Sequence, residues 1–212
     1  MVRSHPPRKV RLPAVGAGQS VGLYGGSFDP MHDGHLLVAD RALKALRLDW
    51  VWWLVTPGNP LKTHDPASDL DARIVAIRQQ APHPRRKVLG VEAELGVRYT
   101  ADTVAMLSAM RPDVRFVWLM GADNLASFHR WNAWRTIAET LPIAVIDRPG
   151  ARHASLSSRF AQTFKDCRLD SDDAARIAQI EPPVWTFVRG PLSTTSSTAL
   201  RAQNAAGISE AE

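Results

Sequence analysis

Apolar residues recur along the chain in two alternating rhythms, short continuous runs of strand length and longer stretches spaced at helical intervals. Val21 to Tyr24 is the first run, and after Gly25-Gly26 the positions Leu36, Ala39, Leu43 and Leu46 recur near helical spacing. Trp50 to Val55, dense in aromatic and β-branched residues, predicts a second strand, and its unbroken apolar character predicts burial on both faces. A helix is predicted over 69–80, with Asp69 as N-cap, Leu70, Ile74 and Ile77 along one side, and Pro82 and Pro84 as its stop. Further strands are predicted over 87–91, 115–120, 142–146 and 184–188, with helices over 101–110 and 154–164 and an acidic, solvated segment over 170–173. Strand and helix patterns alternate about five times, which predicts an α/β fold built on a doubly wound, mostly parallel sheet.

In such a sheet, ligands sit at the carboxyl ends of the strands, so the segments that follow each run carry the candidate chemistry. Gly25 and Gly26 lack a Cβ, which lets the backbone take positive φ and come close to a ligand, and they deliver the chain to a helix start, where free N–H groups favour anions. His32 and His35, three apart, share one face there and can both donate to one phosphate. A paired glycine after a strand also serves an ordinary turn. A zinc pair would more often be spaced by four and needs a third ligand, so no metal site is assigned. The spacing of Gly25-Gly26 is not that of a G-x-G-x-x-G dinucleotide loop.

The stretch Gly25-Gly26-Ser27-Phe28-Asp29-Pro30-x-His32-x-Gly34-His35 resembles the signature of the nucleotidylyltransferase superfamily, whose H-x-G-H motif contacts ATP phosphates. With the blocks below, the chain most resembles the bacterial nicotinate-nucleotide adenylyltransferase family, from about Ser20 to Arg201. The resemblance implies a Rossmann-like sheet and places Gly25, Gly26, Ser27, Phe28, His32 and His35 at the triphosphate. Lys62, ending the loop after the second strand, matches a basic family position, although a loop lysine is also commonly just solvated. The segment from Glu92 to Thr103 resembles a block that lies against the pyridine nucleotide through Tyr99 and Thr100; Thr100 can also simply cap the next helix. Gly121 and Asp123 resemble a nucleotide-contacting G-x-D block, where a carboxylate can accept two ribose hydroxyls, though Asp123 taken alone reads as an N-cap. Trp131 resembles the family's pyridine-stacking tryptophan, with the Asn132 backbone N–H for the nicotinate carboxylate; two tryptophans three apart, Trp131 and Trp134, also fit a core. Asn132 departs from the family's usual tyrosine, a change that a backbone contact survives. Arg148, in an R-P-G turn, is placed near the adenine. Ser196, Ser197, Thr198 and Arg201 resemble the I-S-S-T-x-x-R block that faces H-x-G-H across the triphosphate, with Thr195 in place of the usual aliphatic residue. The catalytic set is then His32, His35, Lys62 and Arg201.

Composition narrows the rest. The 212 residues, 45% of them hydrophobic, suit one domain over 20–203 between a basic tail, 1–19, expected to be disordered, and a polar tail, 204–212. A pI of about 9.9 suggests nucleic acid, but Arg3, Arg8, Lys9 and Arg11 carry +4 of the net +5, and the near-neutral remainder lacks a phosphate-backbone footprint. No apolar run approaches the roughly 20 residues that span a bilayer. With no basic-then-apolar leader and the single Cys167, the expectation is a cytoplasmic protein with no nucleic-acid or membrane partner. The expected reaction is adenylyl transfer from ATP to nicotinate mononucleotide with Mg²⁺ as cofactor, held mostly by phosphates and water. Alternatives are nicotinamide mononucleotide or phosphopantetheine as acceptor, or a nucleotide sensor without catalysis. Oligomeric state is not readable from these features.

Overall fold

The computed structural model describes residues 10–57, 70–148 and 156–189. Its seven strands form one parallel sheet: β1 Ser20–Gly26, β2 Trp50–Val55, β3 Arg86–Leu89, β4 Arg115–Gly121, β5 Ile143–Ile146, β6 Arg168–Leu169 and β7 Trp185–Val188. The order across the sheet is β3-β2-β1-β4-β5-β7-β6. The chain therefore builds outward from β1 through β2 to β3, then returns to place β4 on the other side of β1. Val21 pairs with Trp50 on one side and Phe116 on the other.

The helices are α1 Asp33–Ala45, α2 Leu70–Gln80, α3 Val91–Leu95, α4 Thr100–Met110, α5 Ala122–Ser127 and α6 Trp134–Thr140, with a short helix at Arg159–Thr163. Among the described residues none is long and apolar enough to cross a membrane. Alternate residues of β2 feed the two faces of the sheet. Trp52 and Leu54 join Trp118, Val104, Leu107, Phe128 and Trp134 on one face, whereas Val51, Trp53 and Val55 join Val38, Ala42, Leu43 and Ile77 on the other. Trp52, Trp53, Trp118 and Trp185 are fully buried, which is why the indole-rich strands read as unbroken apolar runs.

Several sequence expectations change. β1 runs on through both glycines, which pair with Leu54 and Val55 of β2, so the turn begins after Gly26 rather than at Gly25. β3 ends at Leu89 and Val91 opens α3, a helix too short to show a helical period. The acidic segment at 170–173 leads into a 3₁₀ helix over Ser171–Gln179 that buries Ala174 and Ile177. The predicted helix over 154–164 is described only from 156, with its regular part at Arg159–Thr163. Residues 10–19, expected in a disordered tail, are instead packed: Val10, Leu12 and Val15 lie against the core, and the Gly18 N–H donates to the Asp113 carbonyl at 2.7 Å. Tail residues 1–9 and 204–212 lie outside the described residues.

Candidate active site

The reversal between β1 and β4 opens a crevice at the carboxyl ends of the strands, the place where doubly wound sheets bind ligands. Gly25 and Gly26 stand on its edge in extended backbone, and neither takes the positive φ expected of it. Their lack of a Cβ serves side-chain space. A Cβ at Gly25 would stand 2.6 Å from the Trp118 ring of the neighbouring strand, and one at Gly26 would press at 3.1 Å on the Phe28 ring. The left-handed residue is Phe28, φ 48°, two positions further on. Its ring meets His35 edge-on at 5.0 Å and also packs on Tyr24 and Trp53.

His32 is the N-cap of α1, and the two histidines cap the helix reciprocally. The Gly34 N–H donates to His32 Nδ1 at 3.0 Å, and the His32 N–H donates to His35 Nδ1 at 3.3 Å. The rings stack at 3.9 Å. Because each Nδ1 accepts, each neutral ring carries its hydrogen on Nε2. Both imidazoles are thereby fixed as Nε2–H donors. His32 is 6% exposed, and its Nε2 is buried without a hydrogen-bond partner. Burial first, and the Arg148 cation second, push the His32 pKa below its ordinary value, so the ring is neutral at pH 7.

Asp123, in the first turn of α5, and Arg148, just beyond β5, are joined by an ion pair, Nη1 to Oδ2 at 3.0 Å. Gly121 makes room for it: a Cβ there would stand 2.4 Å from Asp123 Oδ1 and 2.9 Å from Arg148 Cδ. Asp123 is therefore not the cap of α5, a position held by Gly121 without a side-chain bond. Arg148 Nη2 is buried without a partner, and both charges act on His32 and on the buried Tyr24. Burial drives the Tyr24 hydroxyl far above its ordinary range, which keeps it neutral. His32, His35, Phe28, Asp123 and Arg148 thus converge around the carboxyl ends of β1, β4 and β5.

Trp131 and Trp134 divide the two roles that sequence left open. Trp134 is 7% exposed and belongs to the core, whereas Trp131 is half-buried and meets Phe128 at 5.2 Å and Trp118 at 6.3 Å, edge-on. Through Trp118, which fills the space above Gly25, Trp131 is connected to the crevice. Asn132 is exposed beside it. Tyr99, 38% exposed, is the N-cap of α4, displacing Thr100 from that role into the first helical position. Lys62, Ser196, Ser197, Thr198 and Arg201 lie outside the described residues.

Two further groups escaped the sequence reading. Arg73, 5% exposed on α2, donates to three backbone carbonyls of the loops after β1 and β2. Its signal was a cation three residues after Leu70 and four before Ile77, inside an apolar stripe. Glu92, 3% exposed, accepts from Thr103 Oγ1 at 3.4 Å, and burial pushes its carboxyl up to about 7. The Thr103 hydroxyl also lies 3.3 Å from the Tyr99 carbonyl, tying Glu92 to the start of α4. Nothing local marks Glu92 as buried. Among the described residues, no three His, Cys, Asp or Glu side chains converge as a metal cluster.

Residues 23–203 match the cytidylyltransferase-like family model. The chain belongs to that family. A curated relative from Brucella suis, named "Probable nicotinate-nucleotide adenylyltransferase", is 57% identical over 182 residues, 86% of this chain and 94% of its own length. One of the same name from Rhizobium johnstonii is 50% identical over 201 residues, 95% of this chain and all of its own length. The chain therefore also belongs with the nicotinate-nucleotide adenylyltransferases. The solved nicotinic acid mononucleotide adenylyltransferase of Plasmodium falciparum, complexed with NaAD, shares the fold at TM-score 0.65 and 15% identity, covering 87% of this chain and 83% of its own. The same protein complexed with APC gives a TM-score of 0.62.

Proposed function

We propose that this chain is a nicotinate-nucleotide adenylyltransferase, transferring the adenylyl group of ATP to nicotinate mononucleotide with release of pyrophosphate in NAD biosynthesis. The observation that carries this reading is the pair of buried donors without partners, His32 Nε2 and Arg148 Nη2, at the carboxyl edge of the sheet. Buried donors are expensive to leave unpaired, so this pair suits an anionic ligand. The names of the relatives supply the substrate pair.

In this reading a phosphate oxygen of nicotinate mononucleotide attacks the α-phosphorus of ATP in line. One P–O bond forms, the bond to the β-phosphate bridge breaks, and pyrophosphate leaves with that electron pair. The attacking phosphate is already an anion, so no residue has to remove a proton. Catalysis is positioning plus stabilisation of charge on the phosphates. His32 and His35 supply Nε2–H donors held rigidly by their reciprocal caps. Arg148 supplies a cation oriented by Asp123. Lys62, Ser196, Ser197, Thr198 and Arg201 complete the phosphate contacts by family likeness. Mg²⁺ would be held mostly by the ATP phosphates and water, and when bound it would offset negative charge on the triphosphate. Tyr99, Thr100, Trp131 and Asn132 form the pyridine side. The catalytic unit is the single domain 20–203, working in the cytoplasm.

The test is pyrophosphate release from Mg-ATP with nicotinate mononucleotide, nicotinamide mononucleotide and phosphopantetheine supplied in parallel, each product identified by mass. Strong preference for nicotinate mononucleotide is expected. Preference for another acceptor would replace the pyridine assignment, and ATP binding without turnover would replace the enzyme by a sensor.

A further inference from the structure

A guanidinium in the interior is costly unless its donors are satisfied, and three bonds of the buried Arg73 end on backbone carbonyls. Nη1 donates to the Ser27 carbonyl at 2.8 Å and the Thr56 carbonyl at 2.9 Å, and Nη2 donates to the Pro57 carbonyl at 3.3 Å. These acceptors belong to two different loops. Ser27 leaves β1 towards the histidines, and Thr56 and Pro57 leave β2 towards Lys62. The loops start side by side, since β1 and β2 are paired neighbours and the Thr56 N–H donates to the Gly26 carbonyl at 3.0 Å.

The Ser27 bond has a consequence one residue on. Phe28 sits at φ 48°, a conformation that costs on the order of 1 kcal/mol for a residue with a Cβ and persists only where its surroundings hold it. Its ring is the wall against which His35 rests. Pinning the Ser27 carbonyl therefore fixes the backbone that sets the imidazole.

We propose that Arg73 is a positioning residue for adenylyl transfer, tying the Ser27 carbonyl to the Thr56 and Pro57 carbonyls at the end of β2 so that Phe28 holds the His35 imidazole in place for the triphosphate. The proposal rests on the adenylyltransferase reading above. Only a planar fork reaches three carbonyls at once; a lysine ammonium keeps the charge but not the geometry. Misplacement of reacting groups by about 1 Å can cost on the order of 100-fold in rate. These bonds hold backbone and act through Phe28 and His35, so loss of Arg73 should appear in kcat.

The experiment compares wild type, Arg73→Lys and Arg73→Ala in pyrophosphate release, corrected for folded fraction by thermal denaturation. For Arg73→Lys the expected result is a fall in kcat of about 10- to 100-fold with KM for nicotinate mononucleotide unchanged within about twofold. Millimolar guanidinium chloride should restore part of the kcat of Arg73→Ala and none of that of Arg73→Lys. A lysine variant with wild-type kcat per folded molecule overturns the proposal, as does a lowered melting temperature with no change in kcat. Absence of turnover by wild type with every acceptor overturns the enzyme reading and this proposal together, whereas wild-type turnover alongside an unimpaired Arg73→Lys overturns this one alone.

Discussion

At the scale of single residues, the histidine pair does two things with one arrangement. Each Nδ1 is committed to a helix cap, and each Nε2 is thereby the ring's N–H donor, that of His32 being buried. The two roles can be separated by His32→Asn, since asparagine is a strong N-cap residue but cannot reproduce the reach of the imidazole. Stability within about 1 kcal/mol of wild type and turnover lower by about 100-fold are expected; near-normal turnover in a steady-state assay would remove His32 from the phosphate site. The same geometry fixes the pH response. Burial and Arg148 lower the His32 pKa, and protonation at Nδ1 would break the bond from Gly34. The neutral form is the capped form, so kcat/KM for Mg-ATP, which reports the free enzyme, should stay level from about pH 8 to 6.5 and fall on further acidification. A rise on acidification through that range would mean that a charged imidazole is the active species. The H-x-G-H spacing was legible because it is local. The Arg148–Asp123 pair was not, because residues 25 apart meet only once the strand order is known.

At the scale of elements, continuous apolar runs marked the strands well: β2 was expected and found over the same residues, because a strand buried on both faces has no polar position to blur its ends. The short α3 and the two-residue β6 carry too few residues for a period. Glycine was the most misleading signal, since Gly25 reads as a turn residue and functions as a space-maker in a strand. Gly25→Ala, at an extended position whose backbone alanine can also adopt, should lower the melting temperature and disturb the site by driving a methyl into Trp118, whose rigid indole cannot step aside; an unshifted melting curve would contradict the packing. Glu92, in α3, makes a second prediction. Its carboxyl is raised by burial from an ordinary 4.5 to about 7, so between these values the native state keeps a proton that the unfolded chain has released. The unfolded state then binds fewer protons, and stability is lost as pH rises through 7. Relative to wild type, Glu92→Gln should gain about 2 kcal/mol between about pH 5 and pH 9, measured by urea denaturation. A difference independent of pH would place that carboxyl in contact with water.

At the scale of the whole molecule, the sheet separates the residues proposed for the phosphates from those proposed for the pyridine ring. α1, which presents the histidines, packs through Val38, Ala39, Ala42 and Leu43 on one face. Trp131 packs on Phe128 and Trp118 against the core of the other face. Both faces end at the carboxyl edge beyond β1 and β4, an arrangement set by strand order, which alternation of patterns could announce but not specify. A substitution on one face should therefore leave the other ligand's affinity alone. Trp131→Ala removes a half-buried indole without opening the main core, and an aromatic pair contributes about 0.5–1.5 kcal/mol beyond its buried area. Calorimetric titration should then show nicotinate mononucleotide bound about 10-fold more weakly and Mg-ATP bound as in wild type. Weakened Mg-ATP with intact nicotinate mononucleotide binding would reverse the assignment of the faces. Equal weakening of both would mean that Trp131 supports the crevice as a whole, through Trp118 and the space above Gly25, and is not a platform for one ring.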